Sequence, residues 1–136
     1  MDKDYYSVLW QEFSAQEETF LFQLRIDLFW DKEAFDRLTD AMRACCKDYE
    51  RKQQSEEQHM QAQQMMLPRW LASGFWYLSI FVREHTSHPV WKKWIAQEPE
   101  YFQKAYERLN ALASWFFEGQ SPWEDEEKGW LSTLMN

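Results

Sequence analysis

From Trp70 to Val82 the chain reads WLASGFWYLSIFV, thirteen residues without a charge, opening just after Pro68 and Arg69 and stopping at Arg83. A bilayer-spanning helix needs about 20 apolar residues, so this run, with Ser73, Gly74 and Ser79 inside it, does not cross a membrane. Pro68 suits the first turn of a helix, where its missing N–H has no partner to lose. The length from Pro68 to about Glu84 exceeds a normal strand, although Phe75, Trp76, Tyr77, Ile80, Phe81 and Val82 are good strand formers. A helix apolar on nearly every side is normally buried among others, so this one is expected at the centre of the fold.

The other segments read the same way. In PEYFQKAYERLNALASWFFEG, Phe102, Ala105, Tyr106, Leu109, Leu112, Ala113, Phe116 and Phe117 recur at three- and four-residue steps, with Pro99 opening and Gly119 closing the helix. Gln103, Lys104, Glu107, Arg108 and Asn110 fall on its expected wet face. A short helix with Val90, Trp91, Trp94 and Ile95 is expected before it, capped by Ser87 with Pro89 just inside. After it, Ser121, Pro122 and Glu124 have capping-box spacing, which predicts a last helix docking through Trp123, Trp130, Leu131 and Leu134.

Toward the N-terminus, Asp31 caps a helix whose stripe is Phe35, Leu38, Met42, Cys45 and Tyr49. The polar stretch KQQSEEQHMQAQQ that follows has no breaker, which favours one helix from Lys32 to about Met66 over two helices joined by a polar segment. Between Ser14 and Trp30 two periodicities compete. Ser14 and Glu17 form a capping box, whereas Phe22, Leu24, Ile26 and Leu28 alternate with polar residues as a strand would. Helix is preferred, since a strand would need YYSVLW as its partner. The expected fold is therefore all-α: residues 1–136 as one helical bundle of about four to six helices, the minority alternative adding a short N-terminal β-hairpin.

Composition closes off several functions. With 136 residues, 45% hydrophobic and 18% aromatic, the chain can bury a core of its own. A net charge of -8 repels phosphate backbones and anionic lipid, so neither nucleic acid nor a membrane is an expected partner. The cations Arg37, Arg43, Lys47, Arg51 and Lys52 are interleaved with Asp36, Asp40, Asp48 and Glu50, as on a solvated helix face. Cys45 and Cys46 are adjacent, unsuited to a mutual disulfide or to metal spacing, and read as reduced thiols, one facing the core and the other flanking it. MDKDYYSVLW lacks the basic and apolar regions of a secretory signal, so a cytoplasmic location is expected.

Chemistry-bearing groups are sparse. Glu56 and His59 have the Glu-x-x-His spacing that shares a helix face, but no second such pair completes a di-iron pattern. A metal site of Glu56, His59 and His85 stands as the alternative function, with Trp76 and Tyr77 lining an adjacent pocket, in a ligand-binding bundle that includes an enzyme among its forms. His85 and His88 fall at a helix junction. A cysteine nucleophile has no supporting motif, no phosphate-cradling glycine loop exists, and the acids Glu17, Glu18 and Glu124 to Glu127 read as helix-start charges. No cofactor is expected.

Nine tryptophans exceed what so small a core easily encloses with every indole N–H satisfied. Trp91 and Trp94, set around Lys92 and Lys93, and Trp123 beside Pro122 are read as the half-exposed ones and as candidate interface anchors. The expected function is a non-enzymatic protein-protein interaction module, acting on a protein partner or by self-association as a homodimer.

Overall fold

The computed structural model describes residues 4–56 and 68–133. Among them are seven α-helices and no strand, so the class is all-α, with slightly more helices than expected. They are α1 (Asp4–Phe13), α2 (Phe20–Phe22, running on as a π-helix over Gln23–Asp27), α3 (Lys32–Glu56), α4 (Arg69–Thr86), α5 (Lys92–Gln97), α6 (Pro99–Glu118) and α7 (Glu126–Ser132). A 3-10 turn, Pro89–Trp91, leads into α5. Four helices touch in a ring, α1 to α3, α3 to α6, α6 to α4 and α4 back to α1, and the buried side chains form one core inside it.

YYSVLW lies in α1, which removes the strand partner that the hairpin reading required. Ser14 does not start a helix; it follows the last turn of α1, its N–H donating to the Trp10 carbonyl at 3.0 Å. Thr19 is the cap, its hydroxyl accepting from the Phe22 N–H at 3.2 Å. The strand-like alternation of residues 22–28 is not expressed as a strand: residues 23–27 form a π-turn, and past Leu24 the segment is exposed on successive residues. It buries Phe20, Leu21 and Leu24 and leaves Ile26 and Leu28 outside, and Leu28 ends it in the left-handed region at φ 53°.

Asp31 does cap α3, accepting from the Ala34 N–H at 3.1 Å. The helix continues through Glu56; the expected extension to Met66 lies outside the described residues. Both thiols of the Cys45-Cys46 pair are buried, because α3 has α1 against one flank and α6 against the other. α6 runs as read, and Gly119, at φ 77°, closes it by donating to the Trp115 carbonyl at 2.8 Å. Two caps move. Ser87 ends α4 instead of starting the next helix, and His88 caps the 3-10 turn through Nδ1, which accepts from the Val90 N–H at 3.2 Å. α7 is capped by Asp125, accepting from the Lys128 N–H at 3.2 Å, while the Ser121 hydroxyl accepts from Trp123 N–H in a local turn.

Arg108 is the largest departure from the amphipathic reading of α6. It is fully buried between α3 and α7. Its guanidinium donates to Asp36 at 3.0 Å, to the Thr39 hydroxyl at 3.1 Å and to the Thr133 carbonyl at 2.7 Å. It also faces the Trp130 ring at 4.9 Å, and Arg43, ion-paired to Glu126 at 2.6 Å, lies 4.9 Å from the same ring. The buried charge thus staples α7 to the bundle.

Candidate functional site

α4 buries Leu71, Phe75, Leu78 and Val82 at four- and three-residue steps against α1 and α6. Among the described residues no helix covers its opposite side, which corrects the expectation of a helix enclosed all round. Trp76 is 59% exposed and Ile80 45% exposed, and both lie between Arg69, Ser73 and Arg83, which are exposed as well. A chain that spends one apolar face on its own core has presented a second one outward.

Beside this stripe α1 comes unusually close. A Cβ on Gly74 would sit 2.1 Å from the Phe13 ring, so only glycine admits the phenyl group there. The contact forms one wall of a groove of about 490 Å³, lined by Phe13, Leu21, Arg25, Trp70, Trp76 and Tyr77. Trp10, half exposed, meets Trp70 edge-on at 5.2 Å and extends the aromatic surface onto α1. From the groove a ladder of rings continues along α4: Tyr77 stacks on Phe81 at 4.8 Å and Phe81 on His85 at 5.1 Å. Arg25 covers Phe81 at 5.9 Å.

The residues singled out from sequence fall elsewhere. Trp91 is fully buried, which overturns its reading as half-exposed: the 3-10 turn points its indole inward against His85 and Trp94 while Lys92 and Lys93 stay outside. Its Nε1 has no hydrogen-bond partner among the described residues. Trp94 is half-buried and packs on the exposed Phe29 at 5.6 Å. Trp123 is also half-buried, but against Trp115 and Trp130 at the α7 end, so it does not join the other two.

Of the metal alternative, the Glu56 side chain and all of His59 lie outside the described residues. His85 is engaged by the π-helix, its Nε2 bonded to the Leu24 carbonyl at 3.1 Å and its ring stacked on Phe81. Among the described residues no group of three or more His, Cys, Asp or Glu side chains is placed to hold a metal ion. The thiols are poor nucleophiles: burial pushes Cys45 up to about 12 and Cys46 well above the ordinary thiol value.

Other polar concentrations serve the fold. A cleft of about 600 Å³ near Trp123 holds Lys47, Glu50, Arg51 and Glu126, and Glu50 there accepts from the Trp115 indole at 2.6 Å and from the Ser121 N–H at 3.2 Å. Glu12, which sequence gave no reason to single out, is buried on α1 with its carboxylate accepting from the Phe20 and Leu21 N–H groups at 3.2 and 3.5 Å. Burial raises its pKa to about 7 against those two bonds, which pull the other way.

No protein-family model, curated protein or solved structure matches this chain.

Proposed function

We propose that this protein is a non-enzymatic protein-interaction module whose docking surface is the outward face of α4 together with the groove beside it. The observation that carries the reading is the alignment of Trp76 and Ile80, both exposed, along one side of a helix whose other side already fills the core. Scattered apolar residues on a surface need no explanation; a line of them beside an aromatic groove is the usual mark of an interaction site. Tryptophan is also the side chain most enriched among residues that dominate binding energy. Among the described residues no helix is long and apolar enough to cross a membrane, and a net charge of -8 disfavours nucleic acid as the occupant. The two adjacent reduced thiols support a cytoplasmic setting.

The test is site-specific photocrosslinking in cells of the source organism, with the crosslinker placed at Ile80 and, as a control, at the exposed Lys104 on α6. A reproducible protein adduct from position 80 alone is the expected result. Adducts of equal yield from both positions, or none from position 80, would overturn the assignment.

A further inference from the structure

Arg69, Ser73, Trp76, Ile80 and Arg83 follow one another at steps of four, three, four and three, and every one of them is exposed. At 100° per residue they fall within an arc of about 80° and extend along about 21 Å of helix. That is the spacing of a coiled-coil seam, a straight ridge of side chains which a second helix meets with its own ridges and grooves. Ser73 in the line and the half-buried Ala72 and Ser79 beside it are small enough for another backbone to approach.

The charges frame the apolar centre. Arg69 and Arg83 stand at the two ends and Arg25 at the groove wall, and among the described residues none of the three has a carboxylate partner. Arg25 and Arg83 lie instead over the rings of Phe81 and Tyr106, at 5.9 and 5.1 Å. Glu84, one residue beyond the stripe, is the single acidic residue of α4. A chain of net charge -8 therefore turns a locally basic, apolar ridge outward.

We infer that this ridge receives an amphipathic helix of another protein, with an apolar stripe at four- and three-residue steps and carboxylates near both of its ends; the inference rests on the interaction reading above. A second copy of this chain fits worse. Two-fold pairing of the ridge with itself sets Arg69 against Arg83 when the helices run antiparallel and like against like when they run parallel; Glu84 beside Arg83 offsets only part of this, so cations outnumber carboxylates at the paired ends in both cases.

The probe is a displayed library of helices of about 22 residues, long enough to span the ridge. Leu and Ala are fixed along one seam, and every flanking position is drawn from Glu, Gln and Lys. Selection on the intact protein is expected to enrich Glu toward both ends of the seam. Selected helices should bind Trp76→Ala about thirtyfold more weakly or worse, and Arg69→Glu or Arg83→Glu about two- to fivefold more weakly. Selection on the doubly reversed protein should enrich Lys instead. Trp76-dependent helices with no charge preference, or with Lys at the ends, overturn the acidic partner and leave the interaction surface standing. Failure to recover any Trp76-dependent helix overturns both. Sedimentation equilibrium of the intact protein closes the remaining route: a dimer dissolved by Ile80→Glu would assign the ridge to a second copy.

Discussion

Arg108 and Glu12 each bring a charged group type into the core, and the two behave oppositely because their partners differ. Arg108 has all three of its nitrogens bonded, to Asp36, Thr39 and Thr133, so removing it strands buried oxygens as well as a cavity. Arg108→Met is expected to lower unfolding free energy by about 2–4 kcal/mol in urea titration and to expose α7 amides to hydrogen exchange. Lysine cannot reach Asp36 and Thr133 together, so Arg108→Lys should recover little of this. Glu12 has only two backbone N–H groups to offset its burial, and its folded pKa rises from 4.5 to about 7. The folded protein therefore holds a proton that the unfolded chain releases over this interval. The stability contribution is complete below about pH 4.5 and is lost as pH rises to about 7, in all about 3 kcal/mol. Glu12→Gln should flatten this part of the pH profile of the urea midpoint; an unchanged slope would show that another group sets it. Neither residue was legible from sequence. Arg108 sat among Lys104, Glu107 and Asn110 at helical spacing, and only the docking of α7 takes it out of water while those three stay exposed.

At the scale of elements, what could be read was whatever a segment decides alone. Pro99 and Gly119 bound α6 because proline and glycine impose their backbone geometry regardless of neighbours, and Asp31 caps α3 with no competitor nearby. Caps shifted wherever a serine had a closer use. The Ser87 hydroxyl donates to the Glu84 carbonyl at 2.7 Å, and the Ser121 N–H is held by Glu50 from α3, so neither was available to start the helix assigned to it. The first choice is a local contact three residues back, and the second depends on a segment distant in sequence. The π-helix is a similar case: the apolar and polar residues of 22–28 alternate in sequence, but only Leu24 of the π-turn is buried, and the hydrogen bonds remain helical. Gly74 shows how tightly two elements can depend on one missing atom. Gly74→Ala inserts a methyl group into the Phe13 ring and forces α1 outward, so despite better helix propensity it should cost about 1–3 kcal/mol. Combining it with Phe13→Leu should restore part of the loss in thermal melts; strict additivity of the two changes would mean that the ring and the glycine are not coupled.

For the molecule as a whole, the question is how the tryptophans divide between holding the bundle together and facing outward. The surplus of indoles was legible as a sign that some reach the surface, but their identity was not. Lys92 and Lys93 made Trp91 look exposed, whereas a 3-10 turn sends adjacent side chains in different directions and leaves the lysines alone in water. Conversely, the charge-free run of α4 looked buried throughout, because periodicity counts apolar faces without counting the neighbours available to cover them. The ring of four helices covers one of those faces. Two substitutions separate these roles. Trp91→Ala removes a fully buried indole in contact with His85 and Trp94 and should lower unfolding free energy by about 3–5 kcal/mol. Trp76→Ala removes a side chain that is 59% exposed, and its unfolding free energy should stay within about 0.5 kcal/mol of the parent. The same variant should elute earlier in hydrophobic-interaction chromatography at matched salt, since the surface it loses is the ridge that faces solvent. A large stability loss on Trp76→Ala would instead mean that the indole holds α1 and α4 together through the groove, and that the outward face of α4 belongs to the architecture.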